Sequence, residues 1–313
     1  MTAPRYVTEA EVADLAPGPN ELADALAAAF RARARDDAVM PAKTHLGFPG
    51  GSAFFHAMPA AIPELAAGVK WVAGAARNSD RGLPHVHALL ILSDPETGVP
   101  LGILEAGHLT GLRTAAITLL AARHLARGDS QRIAFVGCGL QARTHLDALR
   151  AAFPITSVAI VGRRVESARL FAETVRAHDL AADTYRDANE ALADADIVVS
   201  SVPAAPGLAG FLDAAALPAG AFAAMVDLGR SWIPRALGAF DRTFTDDTRQ
   251  SLELAHGNPA FAAMRFTGDL GDLLGATVPG RLSPDERLAF LFPGVAIADL
   301  VAGHLVLARA SGG

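Results

Sequence analysis

The chain has 313 residues, 51% of them apolar, enough for a sizeable core in one large or two ordinary domains. A net charge of −6, with both signs interspersed and no Lys/Arg-rich block, argues against a nucleic-acid partner. A single cysteine excludes an internal disulfide framework and a multi-cysteine metal site, and fits a reducing cytoplasm.

In chain order, the segment MTAPRYVTEAEVADLAP carries acids where a signal peptide needs an apolar core. Asn20 is a candidate cap for a helix to about Arg35, with Glu21 and Asp24 in its first turn. Residues 41–59 read as extended segments around a Gly50–Gly51 turn. GVKWVAG and HVHALLILSD read as strands, and DPETG (94–98) as a tight turn into the strand VPLGILEA. These make a mostly antiparallel sheet with a few helices.

From Thr110 the pattern changes. Thr110 or Thr114 is expected to cap a long helix to about Arg127, whose apolar run (114–126) is too short to cross a bilayer and carries Arg123 and His124. Strand 132–136, helix 140–151, strand 157–161, helix 165–178 and strands 196–200 and 221–226 follow. Such alternation implies a parallel, doubly wound sheet. Beyond residue 247 helices are expected to dominate, one opened by a Ser283/Glu286 capping box. A last helix, about 294–310, returns to the first domain. The expected fold class is therefore α/β: a Rossmann-type doubly wound sheet (115–296) plus a mixed α+β substrate and dimerisation domain (1–114 and 297–313).

Gly137-x-Gly139-x-x-Ala142 sits between a predicted strand and helix, as a dinucleotide loop requires. The first glycine permits the turn, the second admits the pyrophosphate to the backbone, and the third position needs only a small residue. Cys138, Leu140 and Gln141 lie within this loop, and Cys138 has no partner cysteine for redox work. The next strand ends in Gly162-Arg163-Arg164, where an NAD site would carry an acid. Two arginines there favour a 2′-phosphate, hence NADP(H) over NAD(H). Ser201 and Val202, just past strand 196–200, are assigned to the same cofactor set. Lys70 lies mid-strand among apolar neighbours, so it is either at a sheet edge or aimed into a cleft. A desolvated lysine of that kind has a lowered pKa and suits proton donation. Arg113 lies at the crossover between domains, and Thr114 offers a cofactor-phosphate or capping hydroxyl.

AMPA (57–60), GVKWV (68–72), LTGLRTAA (109–116), VGCGLQARTHL (136–146) and GRLSPDERLAFLFPGVAIADLVAG (280–303) occur in one order and spacing. Together they resemble the ornithine cyclodeaminase/mu-crystallin family over about residues 5–310. The resemblance implies a soluble homodimer that binds NAD(H) or NADP(H) and acts on small amino acids or their imines. It maps three carboxylate-holding cations to Lys43, Lys70 and Arg113, with Met58 beside them and Arg113 also near the cofactor. Lys43 departs from the family's more usual arginine and loses the bidentate fork.

Two further departures bear on function. Where cyclodeaminases hold a distal amine with glutamate, this chain has His56. The family's catalytic aspartate counts to about Gly229, so Asp227 is either that acid displaced by a gap or a strand-end acid bonded locally. His45, His85 and His87 lack a nearby acidic ligand, and no metal is expected. His56, His85 and Arg230 together suggest a polar or acidic substrate tail. The expected activity is NAD(P)H-dependent reduction of a 2-imino acid, or its reverse, at the C2–N bond, with Lys70 or a water it holds as proton source. The alternatives are a cyclodeaminase or synthase with internally recycled NAD, for which Asp227 would be the catalytic acid, and a non-catalytic crystallin-like ligand binder.

Overall fold

The computed structural model describes residues 3–48, 53–84, 86–205 and 207–312. The chain forms two units, 1–114 with 294–313, and 115–293. The expected Gly50–Gly51 turn and His85 lie outside the described residues.

In the first unit β1 (Arg5–Val7) leads to α1 (Glu9–Asp14), whose Thr8 cap and Glu11 form a capping box. α2 (Pro19–Ala34) begins two residues earlier than an Asn20 cap would allow: Gly18 is its cap, and the Glu21 carboxylate accepts from Gly18 N at 3.3 Å. Proline at the first helical position explains the shift, because its fixed φ suits a helix and it has no N–H to leave unsatisfied.

Strands β2 (Thr44–Gly47), β3 (Ala53–Ile62), β4 (Ala66–Ala75), β5 (Val86–Ser93) and β6 (Pro100–Glu105) pair in antiparallel fashion, and β1 adds parallel to β6. The period of two along β4 sends Lys70 and Val72 inward and Trp71 outward. Leu22, Leu26 and Phe30 of α2 are buried, as is most of the C-terminal helix (Ala296–Ala310), and both helices contribute to this unit's core. The other sheet face is apolar yet open: Trp71, Leu89 and Ile91 are each about two-fifths exposed, and Phe55 stacks on Trp71 at 5.8 Å.

α3 (Gly107–Leu125) carries the chain from the first unit into the second. Neither Thr110 nor Thr114 caps it. The helix starts earlier, and each hydroxyl donates to the carbonyl four residues back, at 2.7 and 2.6 Å. That internal bond competes with capping and keeps both threonines helical.

The second unit runs β7 (Arg132–Val136), α4 (Leu140–Arg150), β8 (Ser157–Val161), α5 (Val165–Arg176), β9 (Ala181–Tyr185), α6 (Ala188–Leu192), β10 (Ile197–Ser200) and β11 (Phe222–Met225). It continues with β12 (Arg242–Thr245), α7 (Thr248–Leu254), α8 (Pro259–Ala263), β13 (Phe266–Asp269), α9 (Leu270–Leu274) and β14 (Leu288–Leu291). Among the described residues the strands form one parallel sheet in the order β13-β12-β14-β11-β10-β7-β8-β9. This is the Rossmann-type doubly wound sheet.

The helix expected after Ser283 is absent. Leu288–Leu291 is β14, every residue buried, inserted between β11 and β12. A short apolar run cannot be told from a buried helix by periodicity, and here the parallel sheet takes it. Glu286 does accept from Ser283 N at 3.2 Å, but its carboxylate also takes two bonds from Arg242, tying a loop rather than starting a helix.

Candidate active site

The chemistry-bearing part of the first unit starts from Lys70 on β4, opposite Met58 of β3 and Leu90 of β5. Its side chain is 1% exposed, and it donates to Asp299 Oδ1 at 2.7 Å. Arg113 Nε donates to the same oxygen at 2.9 Å. Two buried cations thus share one buried carboxylate, so this cluster keeps a net positive charge away from water. Desolvating charge is costly unless an anion completes the pairing. Burial first, then the Arg113 charge, lower the Lys70 ammonium to about 7, while Asp299 pulls it back up. Gly294 lets the arginine approach: its φ is +81°, and a Cβ there would lie 2.7 Å from Arg113 Nη1.

Asp299 escaped the sequence reading. The signal was available: a lone acid in the apolar run AIADLVAG needs a buried partner. Its second oxygen, Oδ2, is buried and meets no hydrogen-bond partner among the described residues.

Lys43 lies half-buried just before β2. On β2 and β3, His45 Nδ1 and His56 Nε2 meet at 2.9 Å as a cross-strand pair. Burial, then the charges of Lys43, His45 and Lys70, lower His56 to about 4, so its imidazole is neutral at pH 7. His87 is exposed, and alternation along β5 points it to the face opposite Lys70. Among the described residues no cluster of His, Cys, Asp or Glu could hold a metal.

In the second unit β7 delivers the chain into the glycine loop. Gly137 has φ +115°, and a Cβ there would lie 2.7 Å from Ser201 Oγ and 2.9 Å from its carbonyl oxygen. Only glycine fits that turn. Gly139 is the N-cap of α4 with no side-chain cap, and a Cβ there would meet nothing within 4 Å. Ala142 is fully buried, Leu140 is exposed, and Gln141 Oε1 is buried with no hydrogen-bond partner among the described residues. Open space over uncapped helix N–H groups is what a dinucleotide pyrophosphate needs, so these residues fit that group.

Cys138 donates weakly to Val161 O at 3.6 Å, and burial pushes its thiol up to about 11, the opposite of a reactive thiolate. Arg163 and Arg164 are exposed past β8, and Arg164 Nε donates to Ser167 Oγ at 3.2 Å. Val202 N donates to Asp227 Oδ2 at 3.3 Å, while Thr114, in the first unit, spends its proton inside α3.

Asp227 is 3% exposed and heavily bonded. Its Oδ1 accepts from Ser200 Oγ and Gly229 N, each at 3.1 Å. Its Oδ2 accepts from Ser231 Oγ at 2.5 Å as well as from Val202 N. Burial raises its carboxyl above the usual range against these donors and the Arg230 charge. Arg230 itself is half-buried, and its Nη1 reaches Val202 O at 3.4 Å.

Residues 7–313 match the model of the ornithine cyclodeaminase/mu-crystallin family. The chain belongs to this family. It is 39% identical to an alanine dehydrogenase of Archaeoglobus fulgidus over 63% of this chain and 59% of that enzyme. It is 26% identical to a Delta(1)-pyrroline-2-carboxylate reductase of Bacillus cereus over 93% of this chain and 92% of the relative. Among solved structures, an archaeal alanine dehydrogenase dimer with bound NAD superimposes with TM-score 0.84 at 29% identity, covering 99% of this chain and 96% of that one.

Proposed function

We propose that the protein is an NAD(P)H-dependent reductase of 2-imino acids, working in reverse as an amino-acid dehydrogenase at the C2–N bond. The relatives named for alanine dehydrogenation and pyrroline-2-carboxylate reduction support this class. The observation that carries it in this chain is the buried Lys70–Asp299–Arg113 cluster, whose excess positive charge awaits an anion. A substrate carboxylate completes it, with Lys43 as the third cation and Met58 against the carbon skeleton.

Gly137, Cys138, Gly139, Leu140, Gln141, Ser201 and Val202 would hold the dinucleotide. The nicotinamide, when bound, supplies or accepts the hydride at C2. This chain's residues do the rest. Cations beside the carboxylate raise the electrophilicity of the adjoining C=N carbon. Fixing the imine in one pose removes the entropy of encounter. Lys70 gives its proton to the imine nitrogen, which its lowered pKa permits near neutrality.

The cyclodeaminase reading is the second choice, because the Asp227 carboxylate is occupied by four donors and has no free oxygen to activate water. We also assign NADPH ahead of NADH, on the exposed Arg163 and Arg164 and the lack of an acid at the end of β8. The NAD bound to the archaeal relative argues the other way. One assay addresses all three readings: reduced-nicotinamide absorbance with a panel of cyclic ketimines and 2-keto acid–amine pairs, run with NADPH and with NADH, plus ammonia detection. Net NADPH oxidation is expected, with NADH slower. The rate should fall as pH rises through about 7, because only protonated Lys70 donates; the oxidative direction should rise through the same point. Ammonia release without net oxidation would transfer the assignment to the cyclodeaminase. Cofactor binding with no turnover would favour a crystallin-like binder.

The open apolar sheet face of Phe55, Trp71, Leu89 and Ile91 exceeds what scattered exposed residues supply, and we assign it to a second copy of the chain. Light scattering should give a dimer that Trp71→Lys converts to monomer; an unchanged mass for the variant would remove this face as the interface.

A further inference from the structure

We infer that Asp299 is the acid of the substrate site: its Oδ1 fixes Lys70 and Arg113, and its Oδ2 accepts an N–H from the nitrogen on substrate C2. This inference rests on the reading of the chain as an imine reductase.

Three observations carry it. First, both cation bonds fall on one oxygen, 2.7 Å from Lys70 Nζ and 2.9 Å from Arg113 Nε. Both oxygens of a carboxylate accept equally well, so two donors on one oxygen leave the other's full capacity unused. Second, Oδ2 is buried and accepts nothing among the described residues. Buried polar atoms of that kind are rare and call for a partner, which a substrate N–H would supply. Third, its surroundings suit a nitrogen. The cations near Asp299 take the substrate carboxylate, and a 2-amino or 2-imino group stands one carbon from that carboxylate. The carboxylate of the cluster is thus placed to receive the nitrogen side of the same molecule.

The proton ledger agrees. In reduction, hydride bonds to C2 as the C=N π pair moves to nitrogen, and the N–H bond forms with the Lys70 proton. Neutral Lys70 is then recharged from solvent. Asp299 does not exchange a proton in this step: before transfer it keeps Lys70 protonated against the charged groups around it, and after transfer it accepts an N–H of the amine so formed. Those groups are Arg113 of α3 and Lys43 ahead of β2; the hydrogen-bonded His56–His45 pair of β3 and β2 lies nearby, with His56 neutral. Asp299 is the negative charge among them.

The test is Asp299→Asn, which keeps size and an acceptor oxygen but removes the charge. Inhibition constants are compared for L-proline and for tetrahydrofuran-2-carboxylate, which replaces the ring N–H by an ether oxygen. The fall of reductive turnover with pH is recorded alongside. We expect the variant to weaken L-proline by tenfold or more, leave the ether within about threefold, and move the limb acidward by about a unit or more. Loss of both ligands in parallel with an unmoved limb would reduce Asp299 to a structural residue and overturn the inference.

If no imine is turned over, it is the reductase reading that fails. The Lys70 titration, followed by carbon NMR of labelled lysine in the free protein, then decides for Asp299. A midpoint lowered in Asp299→Asn supports its hold on Lys70, and an unchanged midpoint refutes it. Cofactor binding to the second unit and a melting curve confirm that the variant is folded.

Discussion

Replacing Lys70 by methionine is expected to cut reductive turnover by roughly 10²–10⁴-fold, the usual worth of a positioned proton donor. The fold should survive. Lys70, Arg113 and Asp299 form a buried trio with one positive charge in excess. Methionine fills nearly the same volume and leaves a neutral Arg113–Asp299 pair at 2.9 Å. The large cost of breaking a buried ion pair comes from the uncompensated charge left behind, and here the remaining pair is balanced, so the stability change should stay within about 1.5 kcal/mol. Alanine would instead open a cavity and confuse chemistry with folding. Two further readouts separate the roles. The limb near pH 7 should disappear, because the group that titrates is gone. KM for the imine should rise as well, because one of three carboxylate cations is lost. A variant that retained kcat within tenfold, with its limb in place, would remove Lys70 from the proton step.

Much of this was legible in the sequence, for physical reasons that also mark where it stopped. The glycine loop could be read because its requirements are local: a φ of +115° at Gly137 excludes other residues, and Ala142 must be small to pack. Strands β7 and β8 could be placed to the residue, because a buried parallel strand is an uninterrupted apolar run ended by turn residues. The same rule misled at LAFL, where the preceding Ser-x-x-Glu imitated a helix start although Glu286 is recruited by Arg242 from 44 residues away. Threonines 110 and 114 misled for a related reason, since their hydroxyls serve a helix interior as well as a cap. Lys70 could be suspected from its apolar neighbours, but its partner lies 229 residues on, beyond any local pattern. Asp299 therefore had to come from the fold.

Asp227→Asn should damage stability far more than catalysis. Each carboxylate oxygen takes two donors, Ser200 Oγ and Gly229 N on one, Ser231 Oγ and Val202 N on the other. An amide must turn its NH₂ toward one of these pairs. Serine hydroxyls can rotate to accept, but Gly229 N and Val202 N cannot, so one backbone N–H faces another donor while buried. Leaving a buried donor unsatisfied costs about 1–3 kcal/mol, and the weakened charge-assisted bonds add a comparable amount. A total of about 2–6 kcal/mol corresponds to a fall in Tm of roughly 4–24 °C for a unit of this size. Well below that temperature, kcat should remain within about threefold of the parent, because the carboxylate organises the ends of β10 and β11 and does not move a proton. Calorimetry and steady-state rates on one preparation give both numbers. A kcat loss of a hundredfold or more with an unchanged Tm would reverse the assignment: Asp227 would then be the displaced catalytic acid, and the cyclodeaminase reading would regain its chemistry.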